Sequence, residues 1–146
     1  MTQRIANPIS AIVAVLTANS LLASHTSNRI YGGKLDDEIE SMPTASIVVQ
    51  ESGGGSVGQG ARGRSLWRVA RLDIRCYGDT DQAADDTFWI MHEAMVAIER
   101  RVAADCIVHD AVVTGGPLPG LDGDAPWPYT MGVYDVSYAP LHPPED

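Results

Sequence analysis

Hydrophobic positions along the 146-residue chain change period several times, and each change predicts an element. Ile9, Ile12, Val13 and Leu16 recur at helical spacing behind Asn7-Pro8, a capping residue followed by a proline at the first helical position. This predicts an amphipathic helix over about 8–22. A turn follows, then a very short strand at Arg29–Tyr31 with a Gly-Gly exit. The acidic stretch 35–41 reads as a solvated loop.

"TASIVVQES" (44–52) is β-branched and bounded by Pro43 and Gly53, which predicts a strand. Residues 53–65 hold six glycines and almost no apolar side chain, so a flexible hairpin loop is expected there. "LWRVARLDIRCY" (66–77) alternates. Leu66, Ala70, Leu72, Ile74 and Cys76 face one way, while Trp67, Val69, Arg71, Asp73, Arg75 and Tyr77 face the other.

Asp79 and Gln82 resemble a capping box, and Ala84, Phe88, Met91, Met95, Ile98 and Val102 keep a 3.6-residue period. They predict a helix over about 80–103 with Arg100 and Arg101 in its last turn, where the helix dipole favours cations. Strands are expected at 106–114 and 129–141, with a Gly/Pro-rich turn at 115–128 between them and a loose tail at 142–146. The order α-β-β-β-α-β-β implies one α+β domain over 1–146. Its sheet would be mostly antiparallel, with two helices on one face and a long β-hairpin arm.

Charge qualifies this picture. The formal net charge is −9, which argues against gripping DNA or an anionic membrane by the overall field. Five of the ten basic side chains lie in 62–75 (Arg62, Arg64, Arg68, Arg71, Arg75), with Asp73 the one acid there. Acids gather at Asp36, Asp37, Glu38 and Glu40, and again at Asp79, Asp81, Asp85 and Asp86. Opposite patches of this kind suit an internal salt network or head-to-tail contact between copies. The segment 9–23 is interrupted by polar residues, so it reads as an ordinary helix rather than a signal peptide or a membrane span. Cys76 and Cys106 sit in strand-like contexts and read as buried free thiols.

Candidate chemistry is sparse. "GQGARGRS" (58–65) matches a phosphate-binding loop with Arg64 in place of lysine. Such a loop must open a helix, whose N–H groups and dipole hold the phosphate, and here period-2 alternation follows instead. His25, His92, His109 and His142 are scattered, and no second ligand pair completes Cys106 and His109. No nucleophile elbow appears, and the carboxylate pairs Asp36-Asp37, Asp85-Asp86 and Asp122/Asp124 fit loops and a helix start. Trp127, in its Pro-rich turn, reads as a plug at an edge of the core. No catalytic, metal or cofactor site is expected.

Order and spacing carry a resemblance. "NRIYGGKL" (28–35) follows the first helix, then "MPTASIVVQESG" (42–53), a Gly/Ser/Arg gap, "RVARLDIRCYGDT" (68–80) and the helix with "A…F…M…AM…AI" (84–98). Over about 8–103 this resembles the tail-completion, or tail-terminator, proteins of long-tailed bacteriophages and gene transfer agents. The resemblance implies a virion protein that forms a ring, typically a hexamer, at the head-proximal end of the tail, after assembly in the host cytoplasm. There it would end tail-tube polymerisation and meet the head connector, with DNA only passing through and no membrane or cofactor involved. Arg62, Arg64, Arg68, Arg71 and Arg75 would face Asp36, Asp37, Glu38, Glu40, Asp85 or Asp86 of a neighbour, or the tail tube. A head-closure or adaptor protein of the same machine is the near alternative, and a nucleotide-binding enzyme using 58–65 the distant one.

Overall fold

The computed structural model describes residues 7–33, 44–58, 67–122 and 127–141. Helix α1 (Pro8–Ala18) starts where expected, with Asn7 Oδ1 accepting from the N–H groups of Ile9 and Ser10. It stops early, at Asn19. That residue is extended, its N–H bonds to Leu16 O, and its side chain accepts from Leu22 N to cap a second helix, α2 (Ser20–Thr26). The single helix expected over 8–22 is therefore two, bent by 92°. One asparagine ends the first and begins the second, which places Ile12, Val15, Leu16 and Leu22 in one core.

Strand β1 (Ile30–Gly32) pairs in parallel with β2 (Ser46–Gly58), and β2 pairs antiparallel with β3 (Trp67–Tyr77). The glycine run 53–58 belongs to β2, contrary to the flexible loop expected there. Its backbone pairs with β3 from Gly55↔Ala70 to Gly58↔Trp67, past an irregularity between Glu51 and Gly55. Backbone pairing with β3 holds it in the sheet. Residues 59–66 lie outside the described residues.

Helix α3 (Asp81–Val96) is capped by Thr80, whose Oγ1 accepts from Ala83 N, rather than by Asp79. Ala84, Phe88, Met91, Met95 and Ile98 are buried as their period predicts. Full burial of each large apolar side chain contributes on the order of 1.5–3 kcal/mol. Val102 breaks the pattern: it lies in β4 (Arg101–Ala103), 60% exposed, and Arg100 and Arg101 sit beyond the helix. The cause is a two-residue turn. Ala104 and Asp105 both have positive φ, 45° and 62°, and fold β4 back onto β5 (Cys106–Asp122). Positive φ at both positions suits the right-handed twist of a tight hairpin.

The turn expected at 115–128 is mostly strand. β5 runs to Asp122 and β6 (Trp127–Pro140) begins at Trp127, paired down to Asp122↔Trp127. Register shifts at Val108/Asp110, Val113/Gly115 and Gly115/Leu118 absorb the glycines and prolines of β5. Among the described residues the result is an α+β fold with three helices and a six-stranded sheet in the order β1-β2-β3-β6-β5-β4, antiparallel except for β1–β2.

The helices pack on the face that carries Ala70, Leu72, Ile74, Cys76, Tyr134 and Val136. The opposite face has a smaller cluster, in which Val48 and Tyr77 are covered by Tyr31, Trp127 and Tyr129. Trp127 thus plugs that second cluster, at the start of a strand rather than in a turn. No single helix among the described residues is long and apolar enough to cross a membrane.

Candidate functional site

His25, His92 and the two thiols are engaged in packing, while His109 is exposed on β5. His92 Nδ1 and Tyr134 Oη share a hydrogen bond of 2.7 Å, with the His92 ring stacked on Phe88. His25 Nε2 and Thr87 Oγ1 share one of 2.9 Å, so both histidines tie helices to their neighbours. Cys76 and Cys106 are free and buried, as expected, and burial pushes both thiols above their ordinary pKa. Among the described residues no group of three or more His, Cys, Asp or Glu side chains is placed to hold a metal ion.

An open groove of about 810 Å³ between α1 and β1 is lined by Ile9, Val13, Ala14, Thr17 and Gly32, with no titratable group. Its described polar side chains are those of Asn7, Ser10 and Thr17. The segment 58–65 leads out of β2 at Gly58, and the chain enters β3 at Trp67. A strand lies on each side of it, where a phosphate-binding loop would open a helix.

The candidate contact residues separate into several places. Arg62, Arg64, Asp36, Asp37, Glu38 and Glu40 lie outside the described residues. Arg68, Arg71 and Arg75 stand along β3, and strand alternation divides them. Arg71 and Arg75 project from the helix-free face, and Arg68 shares the face of Ala70. Arg71 bonds Asp135 on β6 at 3.0 Å, and the Arg75 guanidinium lies 4.8 Å over the Tyr129 ring. Asp85 and Asp86 ride on α3, where Asp86 accepts from Gln82 Nε2. Among the described arginines of this set, Arg71 is engaged within the subunit by a carboxylate and Arg75 by an aromatic ring.

Sequence reasoning missed the outer half of β5. Val112, Val113, Leu118 and Leu121 are 54%, 41%, 47% and 65% exposed on this one strand. Glycine and proline between them hid the strand. The available signal was β6, whose long alternation from Trp127 to Pro140 needs a partner of similar length on each side.

No protein-family model matches the chain, and no curated protein matches it in sequence. The fold is similar to that of a chain in a solved structure entitled "Virion of native gene transfer agent (GTA) particle". The TM-score is 0.67 at 13% sequence identity, over 90% of this chain and 94% of that one. The protein therefore shares, over nearly its whole length, the fold of a chain present in a gene transfer agent virion.

Proposed function

We propose that this protein is a structural component of a phage-like virion, and specifically a tail terminator. In this reading it forms a ring, six copies in the related family, at the head-proximal end of the tail. It stops polymerisation of the tail tube and presents a surface to the head connector, while DNA passes through without being held. The observation that carries the reading is the fold shared with a gene transfer agent virion chain across 90% of the sequence. The order of "NRIYGGKL", the Pro-led strand and the strand-to-helix passage at 68–98 adds to it. The exposed apolar strand β5 fits a subunit that is completed by neighbours.

Deletion of the gene from its particle-forming genome tests the role. Overlong tails are the expected outcome. Normal-length, unattached tails with leaking heads would assign the protein to head closure instead, and unaltered particles would remove it from the neck altogether. Native mass spectrometry and negative-stain imaging, with and without tail-tube protein, test the ring.

A further inference from the structure

No further inference is drawn: the strongest candidate, the cleft of about 180 Å³ between the α1–α2 bend and α3, lined by Leu21, Ile90 and Ala94 and flanked by Glu93 and Arg101, carries nothing because nothing in the structure shows what covers it.

Discussion

Arg71 and Asp135 are direct partners across the β3–β6 ladder, with Arg71 Nε donating to Asp135 Oδ1 at 3.0 Å and the second guanidinium nitrogen to Oδ2 at 3.4 Å. The hydrogen bond, and then the charge of Asp135, raise the pKa of Arg71 above its ordinary value. Water screens the pair, because the Arg71 side chain is about half exposed. Exposed ion pairs of this kind contribute little to stability. Arg71→Ala is expected to shift the thermal midpoint far less than the packing change described next, and 1 M salt should leave that small shift smaller still. Melting curves at low and high salt measure both.

Gly132 is closed in by two rings. A Cβ built there would lie 2.7 Å from the Tyr134 ring and 2.8 Å from the Phe88 ring, at the point where α3 packs on β6. Neither ring has room to move, since both side chains are buried and Tyr134 is hydrogen-bonded to His92. Gly132→Ala should destabilise the protein by about 1–3 kcal/mol through overpacking. Denaturant unfolding of the purified variant is the measurement.

Alkaline pH should weaken the fold. Burial raises the Cys76 thiol well above the usual range, and burial followed by the neighbouring Cys76 raises the Tyr134 phenol. In the unfolded chain each group loses its proton near its ordinary value, about 8.5 for a thiol and about 10 for a phenol. Above those values the unfolded state binds fewer protons than the folded state, so stability falls as pH rises. The slope approaches about 1.4 kcal/mol per pH unit for each group still protonated in the fold. Urea unfolding from pH 8 to 11 should show it, and Cys76→Ala should remove the Cys76 share of the part that begins near the thiol value, leaving that of Cys106, whose thiol is also raised by burial. Cys76 should also resist thiol reagents at pH 8 until denaturant is added.

Asn19 acts on two helices at once, as the C-cap of α1 and the N-cap of α2. Asn19→Ala removes the side-chain acceptor for Leu22 N and should cost about 1 kcal/mol. Leu22 is fully buried, so the loss should appear as cooperative destabilisation of the whole domain and not as local fraying. Comparing near- and far-ultraviolet circular dichroism melts distinguishes the two.

Periodicity identified the elements that own a whole face. Phe88, Met91 and Met95 on α3, and Leu72, Ile74 and Cys76 on β3, were legible because each is buried by the face its spacing defines. The asparagine break was harder to see. Ile12, Leu16 and Leu22 share the core, and nothing in their spacing separates a straight helix from two helices at 92°. Val102 continued the helical period and yet left the helix, because the Ala104-Asp105 turn lacks the Asn-Gly signature and declared itself only through its backbone angles. The candidate assembly surface was half legible: arginines 62–75 stood out by charge, but the four exposed apolar residues of β5 did not.

By itself the sequence determined an α+β fold, its core faces on α3 and β3, the burial of both thiols, and the strand that follows "GQGARGRS". These follow from local spacing, because burial of one face repeats at the period of the element that carries it. Only the tertiary structure decided that glycines 53–58 are strand, that 115–122 is strand with Leu118 and Leu121 exposed, and that Gly58 and Asp122 lie toward opposite ends of the β3–β6 ladder. Each of these depends on which strand lies alongside. A residue with weak preferences of its own takes its conformation from a partner distant in the chain, and no local pattern records who that partner is.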